Sequence, residues 1–106
     1  MSQVEIAVVE LDGPRLDVGA ARILRERMVR AWQKSQAVAL DLTKVEYVDS
    51  LGLSTLIGEL RRKPSGARMV LCGLCDRVME VFEIAQLPRL FEIFENAQVA
   101  QAALAA

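Results

Sequence analysis

Apolar and polar positions alternate between two periods along this chain, and the switches between them mark out the elements. Val4 to Leu11 is a run rich in β-branched residues, closed by Asp12-Gly13-Pro14, which predicts a strand and then a turn. Asp17 precedes a helical pattern reaching about Ser35, with Ala20, Leu24, Met28 and Ala31 on its buried face. Trp32 borders that face, and the arginines are expected to point away from it. Ala37 to Leu42 predicts a second strand, interrupted by Asp41. A further apolar run ends at Val48. From Leu53, apolar residues fall at 53, 56, 57 and 60, which predicts a helix from Ser50 to Lys63 stopped by Pro64. Arg68 to Gly73 reads as a third strand, and Asp76 as the cap of a helix burying Val78, Val81, Phe82 and Ala85. Leu87-Pro88 breaks it, Leu90 to Phe94 predicts a short strand, and Asn96 caps a last Ala-rich helix from Ala97 to about Leu104. Strands alternating with helices predict an α/β domain whose parallel pairings are joined by helical crossovers.

The chain's 106 residues predict one domain, 1–106. A domain of this size buries roughly two-thirds of its unfolded surface and needs no metal or disulfide staple. Hydrophobic residues make up 53% and aromatic ones only 5%, so the core is aliphatic. A net charge of −1, with Arg61, Arg62 and Lys63 as the one basic run, offers no field for nucleic acid. Those three close a helix, where cations suit the dipole. Cys72 and Cys75 have a C-x-x-C spacing, but there is no second pair and no histidine to complete a zinc site. They read as small reduced residues. Without histidine there is also no triad and no imidazole base, so an enzyme is not expected. No membrane span or signal pattern is visible, and a cytoplasmic protein is expected.

The chemistry concentrates at Val48-Asp49-Ser50-Leu51-Gly52-Leu53, between the end of an apolar run and the start of a helix. Ser50 is placed as the N-cap, its oxygen facing the open N–H groups of the first turn. A serine cap on an ordinary helix is the commonplace reading. Two features go beyond it: adjacent polar groups at a strand-to-helix junction, and Gly52 within the first turn, where glycine costs about 1 kcal/mol. An open hydroxyl at the positive end of a helix is a site that could carry a phosphate. With Leu53, Leu56, Ile57 and Leu60 facing the core, a rotation of about 100° per residue puts Leu51 on the outer side. Thr55, Gly58 and Arg62 share that side. Leu51 would then be an exposed apolar contact beside Ser50.

Ala39-Leu40-Asp41-Leu42-Thr43, a spacer, and Val48-Asp49-Ser50-Leu51-Gly52-Leu53 resemble the signature of STAS domains, the anti-sigma factor antagonists in particular. The resemblance runs along nearly the whole chain. It implies a mixed sheet of about four strands with about four helices. It makes Ser50 the phosphoacceptor of a partner kinase. It also implies a partner surface of Asp17, Asp49, Ser50, Leu51, Gly52, Leu53, Ser54 and Thr55, with Leu74 and Cys75 as further carry-overs. The unmodified protein would sequester an anti-sigma factor with serine kinase activity, phosphorylation would release it, and a phosphatase would reset it. No cofactor is implied, because the ATP belongs to the partner. Two departures stand out: antagonists usually begin with a hairpin, whereas only one strand precedes Gly13 here, and the turn Gly13 to Asp17 is one residue longer. STAS subunits of ABC transporters for lipid trafficking also carry an Asp-Ser/Thr motif and can lack the first strand. Bracing an ATPase is therefore the alternative function.

Overall fold

The computed structural model describes residues 5–106. Four strands form the main sheet: β1 (Ile6–Glu10), β3 (Ala37–Asp41), β5 (Arg68–Cys72) and β6 (Ile93–Phe94), in the order β1-β3-β5-β6. A pair of two-residue strands, β2 (Arg15–Leu16) and β4 (Tyr47–Val48), lies apart from it. Four helices join these elements: α1 (Val18–Lys34), α2 (Ser50–Arg62), α3 (Asp76–Ile84) and α4 (Ala97–Ala105). Every strand pairing among the described residues is parallel. The expectation of a mixed sheet is corrected accordingly. No strand precedes β1 among the described residues, so none of them supplies the antiparallel partner a hairpin would give. The first two residues of the strand expected from Val4 divide between the described and the undescribed: Val4 lies outside the described residues, and Glu5 precedes β1.

The central strands explain the aliphatic composition. Residues 37–40 of β3 and 69–72 of β5 are all buried, because helices cover both faces. On one face Val9, Val38, Leu40 and Leu71 join Leu24 and Met28 of α1, Leu56 of α2 and Phe82 of α3 in one cluster. On the other, Ala39, Val70 and Cys72 meet Ala100 and Leu104 of α4. Small residues on this second face let a short Ala-rich helix lie close to the sheet. Asn96 caps it, accepting from the Val99 N–H at 2.9 Å.

Several boundaries differ from those the pattern predicts, each for a local reason. The segment 13–17, expected to be a turn alone, contains β2, which is too short to show a period. Gly73 ends β5 because its φ is +77° and a Cβ there would stand 2.3 Å from the Thr43 hydroxyl. Asp76 is the first residue of α3 and Cys75 holds the cap position, without a side-chain bond. Of the face expected for α3, Val78 and Phe82 are buried, whereas Ala85 is exposed. The strand expected at 90–94 shrinks to β6. Gln86 takes the left-handed region at φ 61°, and a 3₁₀ turn at Leu87–Arg89 draws the Leu90 and Phe91 N–H groups onto the Leu87 carbonyl.

The arginines of α1 do not all face solvent. Arg25 Nη1 donates to Glu59 Oε1 at 2.6 Å, and Arg62 reaches Oε2 of the same carboxylate at 3.4 Å. Glu59 is 1% exposed, so two guanidinium groups hold a buried charge between α1 and α2. Arg27 instead bonds the Asp12 carboxylate and the Glu10 carbonyl. Leu56, fully buried on α2, tests the facing of that helix. Leu56→Ala should lower unfolding free energy by about 2–5 kcal/mol in a denaturant titration, through the cavity it leaves. A loss below 1 kcal/mol, in the range of a surface substitution, would place this residue outside the core.

Candidate functional site

The site grows from the β2–β4 pair. Leu16 and Val48 are register partners, and each strand runs directly into a helix. Asp17 and Asp49 therefore follow at matching positions, and each becomes an N-cap. Asp17 Oδ1 accepts from the Gly19 N–H at 2.9 Å, and Asp49 Oδ1 accepts from the Gly52 N–H at 2.8 Å. The Asp49 N–H donates back to the Leu16 carbonyl at 3.3 Å, tying the two starts together. α1 and α2 thus begin side by side. The pair that achieves this was invisible to periodicity, although the shared Leu-Asp and Val-Asp endings were a usable signal.

Ser50 is not the cap expected from the sequence. Asp49 has the extended backbone of a cap, φ −111° and ψ 179°, and Ser50 is the first helical residue. A carboxylate is the better acceptor for an amide at the positive end of a helix. Among the described residues the Ser50 hydroxyl makes no hydrogen bond, and the residue is exposed. Ser54 and Thr55 differ. Their hydroxyls donate to the carbonyls of Ser50 and Leu51, at 3.0 and 2.9 Å, and so lie along the helix. Of the three hydroxyls in this turn, only that of Ser50 is unengaged.

Leu51 is 54% exposed, as the helical rotation predicts. It lines a groove of about 590 Å³ between α1 and α2, with Val18, Arg22, Arg25, Thr55 and Arg62. Gly52 and Leu53 do not reach this surface. Leu53 is half-buried against the core, and Gly52 is buried beneath β2. A Cβ on Gly52 would stand 1.9 Å from the Leu16 carbonyl oxygen. This glycine is a packing requirement, which accounts for its helix-propensity cost. Leu74 is half-buried against the core and Cys75 is exposed at the start of α3.

No cluster of three or more metal-ligating side chains occurs among the described residues. Cys72 and Cys75 diverge, with Cys72 Sγ 3.6 Å from the Leu40 carbonyl and Cys75 Sγ 3.7 Å from that of Val45. Burial, with the Asp41 charge nearby, pushes the Cys72 thiol from 9.0 up to about 11. No helix among the described residues is long and apolar enough to cross a membrane.

The family model for the STAS domain matches residues 2–100, and the chain belongs to that family. A comparison with curated protein sequences gives no match. Among solved structures, an anti-sigma factor antagonist from Mycobacterium paratuberculosis is similar at TM-score 0.81 and 19% identity, covering 97% of this chain and 92% of that one. A sulfate transporter family protein from Wolinella succinogenes is similar at TM-score 0.80 and 18% identity, covering 92% and 83%. The anti-sigma factor antagonist SpoIIAA in its unphosphorylated form aligns at TM-score 0.74 and 20% identity, covering 98% and 91%. These likenesses establish the fold, and antagonists and transporter domains share it equally.

Two sets of outcomes follow from this geometry. Asp49→Ala should lose about 0.5–2 kcal/mol with the cap, whereas Leu51→Ala should leave the melting temperature almost unchanged. Gly52→Ala should destabilise by about 1–3 kcal/mol through overpacking, despite alanine's helix propensity. A Gly52→Ala protein melting above wild type would remove the close approach of β2. For the thiol, the folded pKa lies above the unfolded value, so the unfolded chain loses its proton first as pH rises. Stability should therefore fall between pH 9.0 and about 11, and Cys72→Ala should lose that part of the alkaline sensitivity in melts across this range.

Proposed function

We propose that this chain is a phosphorylatable anti-sigma factor antagonist, a non-enzymatic cytoplasmic regulator that acts by partner switching. In its unmodified form it binds and sequesters an anti-sigma factor with serine kinase activity. The kinase then phosphorylates Ser50 and is released, and a phosphoserine phosphatase restores the hydroxyl. The single observation that carries the reading is the state of Ser50: exposed, first in its helix, and with a hydroxyl that makes no hydrogen bond among the described residues, since Asp49 does the capping. Similarity to SpoIIAA, whose phosphorylated form also aligns at TM-score 0.67, supports a domain of this fold that can carry a phosphate. Asp17, Asp49, Leu51, Ser54 and Thr55 would form the contact surface, with Gly52 and Leu53 shaping it from below.

The mechanism follows from charge. A phosphate adds about −1.5 to −2 charges and three strong acceptors. At the first turn of α2 that charge gains roughly 0.3–1 kcal/mol from the helix dipole, opposed by the Asp49 carboxylate. Across an interface matched to a neutral hydroxyl, an unpaired dianion costs several kcal/mol, enough to lower affinity by orders of magnitude. The switch needs no refolding.

A second reading has its own support. STAS domains of sulfate transporters share the fold at a TM-score equal to that of the antagonists, and a domain bracing a transporter, including the ATPase of a lipid-trafficking ABC complex, would use the same hydroxyl as a fixed contact. Titration calorimetry of wild type, Ser50→Ala and Ser50→Asp against a candidate anti-sigma factor kinase separates the two, with phosphopeptide mapping after incubation with ATP. Phosphate is expected on Ser50 alone. Ser50→Ala should keep both wild-type stability and affinity, since the cap belongs to Asp49, whereas Ser50→Asp should bind at least about tenfold more weakly. Phosphate on Ser54 with Ser50 unmodified would defeat the assignment, and equal affinities for all three proteins would favour the transporter reading.

A further inference from the structure

β1 is an edge strand with a particular pattern of used and unused backbone groups. The Ala37 N–H donates to the Glu5 carbonyl, and the Leu11 N–H donates to the Asp41 carbonyl. A parallel ladder alternates, so with Ile6 opposite Ala37 and Glu10 opposite Asp41, residues 5, 7, 9 and 11 bond inward to β3. Ile6, Val8 and Glu10 then turn their N–H and C=O groups outward, where no strand meets them among the described residues. Arg27 takes the outward Glu10 carbonyl and the Asp12 carboxylate, closing one end of the edge. Between there and residue 5 the ladder is open among the described residues. The Val8 side chain, on the α4 side of the sheet, is 37% exposed.

The chemistry of the edge selects its occupant. A groove of about 510 Å³ runs along it, with Val8 on one side and Arg27, Arg30 and Lys34 of α1 on the other. A complementary strand is apolar in its middle and acidic at its ends. β1 and the residue before it read Glu5-Ile6-Ala7-Val8-Val9-Glu10, which is that sequence. We propose that this edge pairs with the β1 edge of a second copy of the chain, antiparallel about a two-fold axis at Val8. Each Val8 N–H then donates to the other Val8 carbonyl, and Ile6 lies opposite Glu10 of the second copy, whose N–H donates to the Ile6 carbonyl while its own carbonyl stays with Arg27. Glu5 of the second copy lies opposite Leu11, at the end where Arg27 stands. Two four-stranded sheets become one continuous sheet, and an edge that would otherwise invite non-specific pairing is closed by symmetry. The surface is distinct from the Ser50 site and independent of its function.

Sedimentation equilibrium of the full chain from about 10 µM to about 1 mM tests the interface directly. Wild type should move from the monomer mass of 11.7 kDa toward twice that value. Val8→Pro removes an outward donor while leaving the inward ladder of β1 intact, so it should stay folded by circular dichroism and remain monomeric. Should the proline disturb the strand, a charge pair replaces it. Val8→Lys and Val8→Glu should each be monomeric alone, because the axis sets like charges face to face, and should dimerise when mixed. Three outcomes overturn the proposal: a wild type monomeric throughout, a folded Val8→Pro that dimerises like wild type, or a Lys/Glu mixture that stays monomeric. Binding of an unrelated extended peptide by a monomeric chain would likewise reject a second copy as the occupant.

Discussion

The arrangement around Ser50 depends on one close contact, the Leu16 carbonyl against the first turn of α2. That oxygen occupies the space a side chain at position 52 would need. Because Gly52 leaves it free, β2 can pair with β4 and the two helix starts can lie together. The Asp49 N–H and the Leu16 carbonyl then bond, which ties the two caps together. A larger residue at 52 would push β2 away, and with it Asp17, Val18 and one wall of the groove. The glycine's propensity cost is thus the condition for bringing α1 beside α2, where burial of Leu16, Leu24 and Leu56 offsets it.

Elements with a sustained period were legible in the sequence. α1 and α2 show their buried stripes, and β3 and β5 show continuous apolar runs bounded by breakers, so their limits fall within a residue or two of those expected. The resemblance to STAS domains supplied the family, which the family model bears out, and the proposed position of the phosphoacceptor. What escaped had no period to show. β2 and β4 are two residues each, held by tertiary pairing, and a two-residue strand has no alternation. Glu59 lies on the buried face of α2 but reads as an ordinary surface charge, because its partners Arg25 and Arg62 come from two elements. The helix cap was displaced by one residue for a similar reason: Asp and Ser both suit the position, and only the backbone angles distinguish them.

That one-residue displacement matters for how a switch could be built here. Were Ser50 the cap, its oxygen would be engaged with the helix, and a phosphate would disturb the bond that starts α2. With Asp49 as cap, the fold has no stake in the Ser50 hydroxyl. Modification then alters the surface and leaves the helix start as it was. Such separation suits a regulator read by its partners, since both forms must stay folded to be recognised, one by a kinase and the other by a phosphatase. On the same proposal Ser54 and Thr55, though only a turn away, would be poor substitutes, because each is bonded to the helix's own backbone.

The groove beside Ser50 gives the added charge a defined setting. Its visible cations are Arg22, Arg25 and Arg62, but Arg25 and Arg62 are already directed at the buried Glu59 carboxylate. Drawing either guanidinium toward a phosphate would leave Glu59 less compensated, at a cost of several kcal/mol for a buried charge. These arginines are therefore committed to joining α1 and α2 and are poorly placed to neutralise a phosphate at position 50. Next to Asp49, the dianion would meet within the domain only the helix dipole and the exposed Arg22, itself paired with Glu26, so most of its repulsion would fall on whatever faces this surface. A structural ion pair that holds the helices together thus keeps the proposed switch directed outward.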